Sequence, residues 1–179
     1  SGLTDLDELL GGMHRSDLII LAGRPSMGKT ALATNIAFNA AKARHLSGES
    51  DGAVVGFFSL EMSGEQLATR ILSEQSEISG HKIRRGMVSS DDFHNIARVA
   101  RDLEEMPFFI DDTPALSIGA IRTRARRLKR QHGLSMLVID YLQLIKASSA
   151  KEGRVQEVTE IIPGLCRHRK RPLHLRLCL

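Results

Sequence analysis

The chain has 179 residues, 42% of them hydrophobic, enough to bury the core of one α/β domain, with nothing that suggests a second. Its apolar runs stop at about eight residues, too short to cross a bilayer, and Ser1-Gly2-Leu3 opens no basic, apolar leader. A soluble, cytoplasmic protein with no membrane partner is expected, and since the first residue is not Met, so is a fragment boundary at the start.

The net charge of +4 is concentrated at one end. Arg167, Arg169, Lys170, Arg171 and Arg176 meet no acid, whereas residues 1–163 carry 20 bases against 21 acids. Both cysteines, Cys166 and Cys178, fall in the same tail, which excludes a disulfide framework for the body and fits a reducing compartment.

In chain order, residues 18–22 (L-I-I-L-A) are a predicted strand, and residues 31–43 a helix apolar on most sides, which implies burial. Between them Gly23, Arg24, Pro25, Ser26, Met27, Gly28, Lys29 and Thr30 match G-x-x-x-x-G-K-S/T at every fixed position. Glycines let a backbone wrap an anion without Cβ clashes, so successive amides and the helix N-terminus point at phosphate. The expected nucleotide-binding set runs from Gly23 to Ala31, with Lys29 on the β- and γ-phosphates and the Thr30 hydroxyl on Mg²⁺.

Residues 53–60 (A-V-V-G-F-F-S-L) read as a strand covered on both faces. Glu61 follows directly at its carboxyl edge. It is either a base that deprotonates a water in line with a γ-phosphate or a helix N-terminal acid favoured by the macrodipole. Ser63 begins a helix with Leu67, Ile71 and Leu72 on one face, and Ser90 begins another that runs to about Glu105 and ends before Pro107. A short strand over residues 108–110 leads to Asp111 and Asp112, read as a turn or a cap.

Ser117 caps a helix that Gly133 closes after His132. Ile118, Ile121, Ala125 and Leu128 share one face of it, leaving Arg122, Arg124, Arg126, Arg127, Lys129 and Arg130 on the other. That basic face is either solvated or a nucleic-acid or subunit contact, and no aromatic is interleaved to stack bases. Residues 136–139 form a strand ending at Asp140, where an acid either holds Mg²⁺ through water or caps the turn. A last helix is predicted over residues 154–162, broken by Pro163 and Gly164. Cys166, His168, His174 and Cys178 lack the paired spacing of common zinc sites.

Taken together, G-L-T-D-L-D at residues 2–7, A-G-R-P-S-M-G-K-T-A-L-A at 22–33, F-F-S-L-E-M-S at 57–63 and K-I-R-R-G at 82–86 resemble one family, and the resemblance continues through I-D-D-T-P at 110–114, R-A-R-R-L-K at 124–129, V-I-D-Y-L-Q-L-I at 138–145 and R-V-Q-E-V-T-E-I at 154–161. It is the C-terminal, RecA-like ATPase domain of DnaB-type replicative DNA helicases. The resemblance implies an α/β, RecA-like P-loop fold with a mainly parallel sheet flanked by helices. It implies ATP and Mg²⁺ bound through Lys29 and Thr30, Glu61 as catalytic base and Asp140 as the Walker B acid. It also implies a homo-hexamer with ATP between subunits, movement along single-stranded DNA, and primase and helicase-loader partners for the full-length protein.

Two departures qualify it. The family's N-terminal domain and linker helix are not in this chain. After Ile161 the family goes on to an apolar strand, DNA-binding loops and a trans-acting arginine finger, whereas this chain reads Ile162-Pro163-Gly164-Leu165-Cys166. The abrupt shift suggests a change of coding frame near Ile162, dividing an incomplete ATPase domain (1–163) from an atypical basic tail (164–179). The C-terminal part of the sheet is then expected to be missing, with a gap between the strands carrying the phosphate loop and Asp140. Leu173, Leu175, Leu177 and Leu179 alternate where that strand would fall, at the cost of burying His174 and Arg176. The functional alternative is an ATP-binding module with a passive or regulatory role; a small-molecule kinase is disfavoured because no acceptor lid is evident.

Overall fold

The computed structural model describes residues 1–14, 17–24, 26–48 and 51–141, together with the backbone of residues 175–178. Five parallel strands form one sheet: β1 (Asp17–Ile20), β2 (Val55–Ser59), β3 (Phe108–Asp111), β4 (Met136–Asp140) and β5 (Leu175–Cys178), in the order β1-β5-β4-β2-β3. Among the described residues six helices accompany them: α1 (Thr4–Leu10), α2 (Lys29–Ser47), α3 (Gly64–Ser76), α4 (Gly80–Arg85), α5 (Ser90–Glu105) and α6 (Ile118–His132).

The two central strands β2 and β4 are buried on both faces, as their unbroken apolar runs require. Alternation along them sorts the core into two layers. Val55, Phe57, Met136 and Val138 pack with Ala33, Ile36, Ala37 and Ala41 of α2 and Leu67 of α3. Phe58, Leu137 and Ile139 pack on the other face with Ile121 and Ala125 of α6. Gly56 faces that second layer, where a Cβ would come within 2.9 Å of a Leu134 methyl. Glycine there leaves room for Leu134, between α6 and β4, and for Leu128 of α6, whose methyl would lie 3.4 Å from that Cβ.

The gap expected at the centre of the sheet is closed. Leu175–Cys178 lies between β1 and β4, parallel to both, with Leu175 opposite Asp17 and Met136, and Leu177 opposite Ile19 and Val138. Backbone hydrogen-bonding groups on facing edges inside a sheet need partners, and an extended segment supplies them whatever its side chains. The sheet is therefore continuous from the strand before the phosphate loop to the strand ending in Asp140. The helix predicted over residues 154–162, the boundary at residue 163, and Cys166, His168 and His174 lie outside the described residues, as do the side chains of Arg176 and Cys178.

Candidate functional site

The carboxyl ends of β1, β2 and β4 converge on one edge of the sheet, the edge where parallel α/β sheets bind ligands. The chain leaves β1, turns through a contact from the Met27 amide to the Arg24 carbonyl (3.3 Å), and enters α2 at Lys29. Gly28 caps α2 in the left-handed region at φ 81°, a conformation that glycine takes without strain. No side chain caps this end and no acid stands in its first turn, so its positive pole faces the loop.

Lys29 arches back over the loop. Its Nζ donates to the Gly23 carbonyl (2.9 Å) and the Arg24 carbonyl (3.2 Å), and its stem lies beside the Gly23 Cα. Gly23, Arg24, Ser26, Met27 and Gly28 are exposed, while Lys29, Thr30 and Ala31 are half-buried in the first turn of α2. Ser26 takes a positive φ of 63°, unusual for a residue with a side chain. Pro25 lies outside the described residues.

Asp140 ends β4 opposite Ser59 and is 1% exposed. Burial pushes its carboxyl above the usual carboxylate range. A hydrogen bond with the Thr30 side chain works against this, the Glu61 charge adds to it, and Arg70 and Lys29 oppose it. Its Oδ2 is buried without a partner among the described residues. An orphaned carboxylate oxygen beside a threonine hydroxyl suits a hard divalent cation, and Mg²⁺ characteristically takes only one or two protein oxygens together with water and phosphate. Among the described residues there is no group of three His, Cys, Asp or Glu that would form a larger metal cage.

Glu61 is exposed on the turn that joins β2 to α3. The Leu60 amide donates to the Asp140 carbonyl (2.7 Å), and Ser59 Oγ donates to the Met62 carbonyl (2.7 Å), so the turn is tied to β4 and to itself. Ser63 and Gln66 then form a reciprocal capping box that starts α3. Glu61, Asp140, Thr30 and Lys29, far apart in sequence, share one electrostatic neighbourhood.

Sequence reasoning missed Arg70, whose charge reaches Asp140 from the middle of α3. A cation nine residues after an acid is an ordinary helix pattern, and only the entry angle of α3 brings it to the site. Asp111 and Asp112, read as a turn or a cap, do separate things. Arg124 Nη1 donates to both Asp111 oxygens (2.7 Å each) and to Thr113 Oγ1 (2.7 Å). Asp112 Oδ2 accepts from the Gly64 amide (2.8 Å), the first residue of α3. One arginine of the basic face of α6 is thereby tied to the end of β3; Arg122, Arg126, Arg127 and Arg130 are exposed.

Residues 1–171 match the family model for the DnaB-like helicase C terminal domain. The chain belongs to that family. It is 57% identical over 168 residues to the replicative DNA helicase DnaB of Rickettsia prowazekii, covering 92% of this chain and 35% of that protein. It is 44% identical over 166 residues to the DnaB of Geobacillus stearothermophilus, again covering 92% of this chain and 35% of the relative. The chain thus spans about a third of the length of the curated relatives it matches. Among solved structures it resembles one described as an ATPase domain, with a TM-score of 0.87 at 28% identity, covering 99% of this chain and 61% of that one. It also resembles a DnaB-like replicative helicase described with its primase interactions, with a TM-score of 0.82 at 28% identity, covering 99% of this chain and 42% of that one. The fold of this DnaB-like domain is accordingly RecA-like, and membership of the family implies nucleotide use. Among the described residues no helix is long and apolar enough to cross a membrane.

Proposed function

We propose that this chain is the ATP-hydrolysing part of a replicative DNA helicase, working with Mg²⁺ and coupling turnover to movement along single-stranded DNA. The observation that carries this reading is Asp140 itself, 1% exposed at the end of β4 with an orphaned Oδ2, beside the phosphate-loop helix and within the field of Glu61. Amides of the loop and of the first turn of α2 bind the phosphates, and Lys29 leaves the Gly23 and Arg24 carbonyls to pair with the β- and γ-oxygens. Thr30 and Asp140 would hold Mg²⁺, which when bound neutralises charge on those oxygens. Glu61 orients a water and accepts its proton as the water oxygen bonds to the γ-phosphorus and the bond to the β–γ bridging oxygen breaks, giving ADP and phosphate. Arg70 of α3 offsets the charge of Asp140.

The relatives' names support DNA as the track, and the primase named with one solved relative supports a primase partner for the whole protein. A homo-hexamer with ATP at the subunit boundary, and a loader that places it on DNA, complete the reading. The test is ATP turnover with and without single-stranded DNA, alongside native mass. Turnover is expected to rise with DNA and to fall on the order of 10²- to 10⁴-fold in Glu61→Gln, with ATP binding retained. Binding without turnover in a monomer would instead mark a passive ATP-binding module.

A further inference from the structure

The turn that carries Glu61 is short, exposed and held from two sides by contacts of different kinds. On one side it is anchored to β4 through the Leu60 amide and the Asp140 carbonyl (2.7 Å). On the other, α3 begins immediately after it, and the fate of the first amides of α3 decides where the turn ends. The capping box deals with two of these groups: the Gln66 amide donates to Ser63 Oγ (3.3 Å), and the Ser63 amide donates to Gln66 Oε1 (3.2 Å). The Gly64 amide is left over by that box. It donates to Asp112 Oδ2 at 2.8 Å, across 48 residues of sequence.

Asp112 is itself held in place. Its neighbour Asp111 ends β3 in register with Phe58 of β2, and is locked by both oxygens to Arg124. Thr113, on the other side, donates its amide to Asp111 Oδ1 (3.2 Å) and accepts from Arg124 through its hydroxyl (2.7 Å). The backbone at Asp112 is therefore fixed between two residues that share one arginine of α6. A negative carboxylate at a helix N-terminus is also favoured by the helix dipole, so the contact to Gly64 is charge-assisted.

We infer that Asp112 is a positioning residue for Glu61, its carboxylate pinning the start of α3 to the end of β3 so that the Glu61 turn is clamped between Asp112 and Asp140. This rests on the reading of Glu61 as the base. Asp112 acts through the Gly64 amide and fixes the place from which Glu61 acts. Misplacing a catalytic group by about 1 Å costs on the order of 10²-fold in rate.

Two substitutions separate this role from a merely structural one. Asp112→Ala removes the acceptor for the Gly64 amide, whereas Asp112→Asn keeps a carbonyl oxygen in its place and loses only the charge. In the full chain with DNA present, Asp112→Ala is expected to lower kcat at least tenfold with KM for ATP within twofold of the parent. Asp112→Asn is expected to restore kcat to within about threefold. Hydrogen exchange across residues 60–67 reads the same clamp without turnover: exchange at Gly64 is expected to speed up at least tenfold in Asp112→Ala and little in Asp112→Asn. Unchanged kcat or unchanged exchange at Gly64 in Asp112→Ala, equal kcat losses in the two variants, or a loss confined to KM would overturn the inference. If Glu61→Gln turns over ATP at the parent rate, the reading of Glu61 fails instead, and exchange at Gly64 still decides whether the clamp exists.

Discussion

Asp140 carries two opposing demands. As a side chain in a folded core it is badly placed, because it is almost fully buried, it lies near the Glu61 charge, and one of its oxygens has no partner among the described residues. As a proposed cation ligand it is well placed, since an oxygen kept free of protein donors remains available. Asp140→Asn is therefore expected to raise the thermal midpoint of the metal-free chain by a few degrees while abolishing Mg²⁺-dependent turnover. Scanning unfolding in EDTA alongside an ATPase assay checks both, and a lowered midpoint would mean that the carboxylate is better satisfied than its surroundings indicate. The site residues differ in how readable they are. Lys29 and Thr30 are legible because their spacing to Gly23 and Gly28 is fixed by the loop. Asp140 is legible because it ends an apolar run. Arg70 and Asp112 are not, because what matters for each is a neighbour brought by the fold: β4 for Arg70, and a backbone amide 48 residues away for Asp112.

At the level of elements, polar chemistry at the ends marks the helices more clearly than propensity along them. Ser63, Ser89 and Ser117 each accept from a backbone amide three residues on, and the helices they begin start within one residue of where the sequence places them. α1 and α4 are not foreseen. At seven and six residues each is too short for a periodic pattern to stand out, neither has a fully buried residue, and neither N-cap makes a side-chain cap bond. β3 and α6 are joined by the Asp111–Arg124 pair, whose stability contribution depends on pH. Burial pushes the Asp111 carboxyl up, but the hydrogen bonds from Arg124 and Thr113 outweigh it and hold the carboxyl below its usual range. A depressed carboxylate stabilises the fold above its unfolded pKa of about 3.9, and that contribution disappears as pH falls through the lower folded value. With Arg124 41% exposed, the pair is worth only about 1 kcal/mol after solvent screening. Arg124→Leu is expected to lose about that amount at neutral pH and to converge with the parent in acid, once the carboxyl is protonated in both states, as read by urea melts. A deficit that persisted in acid would point to the Thr113 hydrogen bond or to packing instead.

For the whole molecule, the decisive feature is β5. β1 pairs with β5 alone among the described strands, and β5 pairs in turn with β4, so the strand that leads into the phosphate loop joins the rest of the sheet through four residues of the tail. The alternation of leucines there is visible in the sequence, but composition argues against a central strand, because basic residues are expensive inside a sheet. Backbone pairing prevails. Leu177→Pro removes one ladder donor in the middle of that strand. It is expected to weaken binding of a non-hydrolysable ATP analogue at least tenfold, measured by fluorescence titration; unchanged binding would show that the loop holds its shape without β5. The same connection has a bearing on how the protein comes into being. Asp17 must find Leu175, the kind of distant pairing that slows folding and leaves strand edges open to other chains in the meantime. During synthesis β2, β3 and β4 are complete long before their last neighbour exists. The chain is then expected to pass through an interval in which most of its core is assembled but it cannot yet recognise nucleotide, and in which its unfinished sheet is what a chaperone would have to shield.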